Sequence, residues 1–240
     1  MNILLVMAGK NTSFKLDSDL PKFLYEINGK PIIELVTRQF HNLDNKKNKF
    51  IFLIKDSDAE KFYLDKVINL LIPNATVIKI KHHTEGAALT ALLAIDELIP
   101  DQPLLIVNGD QIIDIDFNDF LECVKTNNYD AATIAFNSIH PRWSYVKIDE
   151  NDLIVQAAEK EPISNIATGG IYYFKYATDY IESAMQMILK DAHVNNIFYV
   201  CPVLNEMILK RKKVGCYKIN SNLYHSFIDY DLYKSYQRES

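Results

Sequence analysis

The chain has 240 residues, 48% hydrophobic and 24% charged, enough to bury a large core in one α/β domain. A net charge of −5 argues against nucleic acid and anionic membrane as partners, and the basic run "LKRKKVG" (209–215) reads as a solvated helix end. No stretch reaches the ~18 apolar residues of a membrane helix, and the start carries no pattern of a signal peptide.

"NILLVM" (2–7) reads as a buried strand and "PIIELVTRQFH" (31–41) as a helix, with proline suited to its first turn. "KFIFLI" (49–54) is a strand, followed by one amphipathic helix, "DAEKFYLDKVINLL" (58–71). "ATVIKI" (75–80), "EGAALTALLAIDEL" (85–98) and "PLLIVN" (103–108) continue as strand, helix and strand. "FNDFLECVKT" (117–126) is a helix capped by Asp116. After residue 128 the alternation stops, and "AATIAFN", "SYVKID", "LIVQAAE" and "ATGGIYYFK" follow as close-set strands. Helices near 177–190 and 197–211, a strand at 215–220 and a helix near 229–237 close the chain. The first half thus predicts a parallel sheet core, with 1–128 and 129–240 as two halves of a single domain. Ligands of open α/β sheets bind where strands end, which here brings the loops 7–9, 81–86 and 108–110 to one crevice.

Glycine is scarce, roughly 3% against a usual ~7%, so each retained glycine points to a backbone requirement. The three cysteines, Cys123, Cys201 and Cys216, are odd in number and lack CxxC spacing. They indicate a reduced, cytoplasmic setting.

"MAGKNTSF…PK", "NGKPIIE", "TEGAALTALLA", "NGDQIIDID", "AAEKEP" and "TGGIYYF" occur in this order. The series, spanning about residues 1–220, resembles the sugar-phosphate nucleotidyltransferases, or nucleotide-sugar pyrophosphorylases. "HPRWSYVKID" and "NNIFYVCPVLNEMI" are similar to a subgroup encoded with bacterial capsule and surface-polysaccharide genes. The resemblance implies a GT-A-like (Rossmann-like) α/β fold. Its sheet is mixed and mainly parallel, flanked by helices, with a smaller β-rich acceptor-side lobe. The half 1–128 would bind nucleotide and 129–240 the acceptor.

Family loops read A-G-x-G-T/S-R. Here Ala8 and Gly9 remain, Asn11 stands at the second glycine and Ser13 at the arginine. Asn tolerates a left-handed turn, but serine carries no charge for a triphosphate. Lys10 or Lys15 either supplies that charge or is a solvated loop lysine. Lys22 in "PK" matches the family's active-site lysine. Lys81, Glu85 and Gly86 fall on the nucleotide side, where Gly86 would lie against the base. Glu85 and Thr84 are equally suited to a helix N-terminus. Gly109-Asp110 ends an apolar strand, and Asp110 would hold Mg²⁺ (or Mn²⁺) on the triphosphate.

On the acceptor side the resemblance implies Ser144, Glu159, Lys160, Thr168, Gly169, Gly170 and Tyr172. Glu159-Lys160 also fits an exposed ion pair, and Trp143 fits either acceptor or core. The second metal-binding aspartate of relatives has His225 in its place, with Asp229 nearby; histidine suits transition metals better than Mg²⁺.

The implied reaction joins NMP from an NTP to a small phosphate-ester acceptor and releases pyrophosphate. A monoester's second pKa is near ~6, so its dianion needs no catalytic base. Such chemistry requires positioning and charge neutralisation more than a nucleophile set. Two other classes are weighed against this. One is a weak or inactive nucleotidyltransferase-like binding or regulatory protein, suggested by Asn11, Ser13 and His225. The other is a GT-A glycosyltransferase, whose D-x-D "NGDQ" lacks. A homo-oligomer is compatible with the sequence.

Overall fold

The structure is a computed structural model that describes residues 1–9, 20–43 and 48–239, with side chains to residue 237. In chain order the strands and helices are β1 (Asn2–Val6), β2 (Glu26–Ile27), β3 (Lys30–Pro31), α1 (Ile32–Arg38), β4 (Lys49–Lys55), α2 (Asp56–Phe62), α3 (Leu64–Leu71), β5 (Thr76–Ile80), α4 (Ala87–Leu92), β6 (Leu104–Asn108) and β7 (Gln111–Ile113). Then come α5 (Phe117–Thr126), β8 (Ala131–Asn137), β9 (Ser144–Ile148), β10 (Ile154–Glu159), β11 (Ile166–Phe174), α6 (Ala177–Leu189), α7 (Val203–Leu209), β12 (Val214–Ile219), β13 (Tyr224–Ser226) and α8 (Tyr230–Glu239).

Among the described residues, nine strands form one mixed sheet. β5, β4, β1 and β6 are mutually parallel. β11 lies antiparallel to β6, and β8 and β12 extend the sheet beyond it. Period-2 alternation sends the side chains of these central strands to two faces. Ile3, Leu5, Phe52, Ile54, Leu105 and Val107 meet α1, α2, α3 and α5 on one side. Leu4, Ile51, Leu53, Leu104 and Ile106 meet α4, α6 and α7 on the other. The helix-flanked, GT-A-like α/β architecture is therefore the one the sequence implies.

β11 positions the site. Its C-terminal half pairs with β6 through residues 171–174, while Ala167 pairs with Tyr145 of β9 on the same edge. The residues between, Thr168 to Gly170, pair with neither, and a register shift marks the bulge. The gap opens beside the end of β6. β9 and β10 form an antiparallel ribbon there, and β13 pairs with β7 across the same end.

Three expected helices differ. The stretch 58–71 splits at Tyr63, whose φ of 56° is left-handed. That residue re-phases the chain so that Ala59, Leu64 and Ile68 all reach the core. The 85–98 helix is α4 followed by a short 3-10 turn at Ile95–Glu97. The helix expected from 197 begins at Val203, after Pro202. Phe198 is drawn away instead: its N–H donates to Glu85 O at 2.7 Å, and its carbonyl accepts from Ala88 N at 3.0 Å. The Asp116 cap holds, accepting from Asn118 N at 2.9 Å. The Thr84 cap does not form; its hydroxyl bonds that of Thr90.

Candidate active site

A cleft of about 310 Å³ opens at the strand ends between β6, β9 and β11. Gly9, Lys22, Gly109, Asp110, Ser144, Glu159, Lys160, Thr168, Gly170 and Tyr172 line it together. Residues from β1 to β11 therefore converge on one hollow.

Lys22 opens a 3-10 turn after Pro21, and Asp110 follows the end of β6. Lys22 Nζ donates to Asp110 Oδ2 at 2.5 Å, with the two side chains 12% and 19% exposed. Gly109 is required here because a Cβ would stand 2.4 Å from the Met7 side chain. Gly170, at φ +67°, makes room for Asn108 and Gln111, each of which a Cβ would approach to 2.5 Å.

Glu159 ends β10 and is 8% exposed, not the exposed half of an ion pair. Its carboxylate accepts from Ser144 Oγ. Burial pushes the Glu159 carboxyl above its ordinary range, against the opposing effects of the Ser144 hydrogen bond and the Lys160 charge. Lys160 adopts a left-handed backbone, φ 56°, a strained geometry of the kind that gathers at functional sites. Its Nζ donates to Tyr199 Oη at 2.9 Å, and this bond raises the Lys160 pKa. Thr168 and Tyr172 share a hydrogen bond of 2.9 Å in the buried wall. Burial raises the Tyr172 phenol well above its usual value, so it stays neutral. Cys201 lies in the same wall, and burial likewise raises its thiol.

Other expected residues lie elsewhere. Ala8 and Lys81 line a neighbouring hollow with Lys55, His82 and His83. Gly86 is explained by protein packing: at φ +125°, a Cβ would meet Phe198 O at 2.3 Å. Gly169 faces inward, toward Ile113. Lys10, Asn11, Ser13 and Lys15 lie outside the described residues.

His225 is engaged by another carboxylate: its Nε2 pairs with Asp114 Oδ2 at 2.9 Å, and its ring packs on Tyr236. Asp229 Oδ2 binds Arg142 Nη1 at 3.1 Å. Among the described residues no group of three His, Cys, Asp or Glu side chains could hold a metal by itself. A single carboxylate beside a lysine still fits Mg²⁺, which keeps waters and takes one or two carboxylates plus substrate phosphates.

Arg142, Gln111, Tyr199, Tyr224 and Ser226 also line the cleft, outside the residues singled out by motif. Gln111 follows Gly109-Asp110 directly, and Arg142 and Tyr199 lie within "HPRWSYVKID" and "NNIFYVCPVLNEMI".

A family model described as Nucleotidyl transferase matches residues 10–212. Among curated proteins, no sequence matches the chain significantly. The nucleoside-diphosphate-sugar pyrophosphorylase structure from Vibrio cholerae RC9 superposes with a TM-score of 0.83 at 20% identity, covering 99% of this chain and 100% of that one. The inositol-1-phosphate CTP transferase from T. maritima gives 0.74 at 14% identity, covering 96% and 90%. At these identities the likeness shows the fold.

Proposed function

Because the chain belongs to the nucleotidyl transferase family, we propose that it transfers NMP from an NTP to a small phosphate-ester acceptor, a sugar phosphate or a related monoester, releasing pyrophosphate. The observation that carries this reading is the Lys22–Asp110 pair in one cleft with the Ser144–Glu159 pair. The first pair suits a phosphoryl centre, and the second suits a hydroxylated acceptor.

An oxygen of the acceptor phosphate attacks the α-phosphorus, and the bond to pyrophosphate breaks as that bond forms. The attacking dianion needs no general base. Lys22 neutralises charge on the α-phosphate and departing pyrophosphate. Asp110 would hold Mg²⁺ (or Mn²⁺), which supplies Lewis-acid neutralisation of the triphosphate. Glu159 and Ser144 orient acceptor hydroxyls, Lys160 contacts the acceptor phosphate, and Thr168 lines the acceptor pocket. Gly9 lets the nucleotide approach the backbone at the end of β1.

In this reading 1–128 binds nucleotide and 129–240 the acceptor, the product feeds capsule or surface-polysaccharide synthesis, and the enzyme works in the cytoplasm. No described helix is long and apolar enough to cross a membrane. The test is a pyrophosphate-release screen of CTP, UTP, dTTP, ATP and GTP against a phosphate-ester panel, with Mg²⁺ or Mn²⁺. Release with at least one pair is expected.

The engagement of His225 by Asp114 and of Asp229 by Arg142 favours one second reading, a nucleotide-binding regulator without turnover. NTP binding without pyrophosphate release in the same screen would select it.

A further inference from the structure

Arg142 lines the cleft together with Lys22, Asp110, Ser144 and Glu159. It is two residues before Ser144, which holds Glu159. Its partner Asp229 is two residues after Phe227, whose N–H donates to Asp110 O at 2.7 Å. A phosphate seated in this cleft meets the cations Lys22, Lys160 and this guanidinium in its lining.

The guanidinium is already oriented. Arg142 Nε donates to His140 Nδ1 at 3.2 Å, and Nη1 donates to Asp229 Oδ2 at 3.1 Å. It lies 5.8 Å from the centre of the Trp143 ring, which is braced edge-on by Phe136 and Tyr224. A guanidinium fork fixed before binding loses little freedom on taking an oxyanion. The same fork accepts carboxylate and phosphate, so its present partner marks the chemistry of its ligand.

We propose that Arg142 is a second acceptor-phosphate clamp beside Lys160, and that Asp229 holds its place in the absence of substrate as an internal stand-in for that phosphate. This rests on the phosphate-ester acceptor proposed above. Binding of the ester exchanges one anion for another on the guanidinium and releases Asp229. Because Asp229 competes, acceptors without a strong anionic group are rejected. Trp143, expected to serve either acceptor or core, supports Arg142 from the core side.

The test titrates the full chain with inorganic phosphate, glucose 1-phosphate and glycerol 3-phosphate by calorimetry, as wild type, Arg142→Ala, Arg142→Lys and Asp229→Asn. NTP binding and thermal melting are followed for all four proteins. Arg142→Ala should weaken the phosphate probes about ten- to a hundredfold, the loss of one charged hydrogen-bonding group. Arg142→Lys should recover part of that loss. Asp229→Asn should tighten binding severalfold, because the competing carboxylate is gone. A merely structural pair predicts the opposite for Asp229→Asn, a weakening parallel to that of Arg142→Ala. The proposal is overturned if Arg142→Ala binds like wild type, if Asp229→Asn weakens binding, or if wild type binds none of the probes. With NTP bound normally, those outcomes remove only the Arg142 assignment. Failure of every NTP to bind wild type removes the enzyme reading, while the phosphate titration still judges Arg142.

Discussion

Lys22 and Asp110 hold each other in a cleft that excludes most water from both. In such surroundings a charge acts strongly on a phosphate and its own removal is felt. Asp110→Asn should lower pyrophosphate release by a factor of about 10²–10³, on the scale of other lost electrostatic contacts to a transition state. Circular dichroism should remain that of wild type, because Asp110 lies past the end of β6 and Asn keeps the side chain's size. Glu159 gives a prediction with a definite sign. Its raised carboxyl means that the folded chain keeps a proton the unfolded chain releases, in the interval between the ordinary and the raised value. Stability therefore falls as pH rises through that interval and stays lower above it. Glu159→Gln keeps an acceptor for Ser144 and removes the buried charge. Its melting temperature should exceed that of wild type at pH 7, and the difference should vanish below about pH 4, under the usual carboxyl range. Weaker acceptor binding should accompany the gain.

The expected strand–helix alternation of the first half is present because its strands are continuous apolar runs buried on two faces. "NILLV" and "LLIVN" are neighbours in register, Leu4 opposite Ile106. β7 and β13 were not legible, since three-residue strands show no period and pair across more than a hundred residues. The break at Tyr63 was hidden for another reason: the sequence on both sides favours helix, and tertiary packing decides the phase. In the site, Lys22, Asp110, Glu159 and Lys160 were legible through their motifs. Arg142 was not, because the partner that orients it lies 87 residues away. Gly86 was legible as a requirement, and the fold supplies a cause of its own, since a Cβ would strike the Phe198 backbone. Gly86→Ala should therefore destabilise the fold by about 2–4 kcal/mol, through left-handed strain and displacement of Phe198 together. Chemical denaturation measures the loss, and a variant as stable as wild type would show that the 195–198 loop yields freely.

One sheet crosses the described residues, from β5 through β11 to β12, and β11 of the second half pairs directly with β6 of the first. That continuous pairing ties the two halves together, so ligand entry is expected to depend on local opening at the cleft rather than on closure of two bodies. The cysteines offer a direct measure of that opening. Cys201 lies in the cleft wall with 1% exposure and Cys216 is buried on β12, whereas Cys123 is half-buried. Thiolate is the reactive form, and burial disfavours it at Cys201 and Cys216. A maleimide pulse on the native protein should therefore attach one label quickly, at Cys123, and three after unfolding, as counted by intact mass. The slow second label, mapped to Cys201, becomes a clock for cleft breathing: each turn of that clock is one local unfastening of the wall. A nucleotide seated in the cleft should slow it, while leaving the rate at Cys123 unchanged.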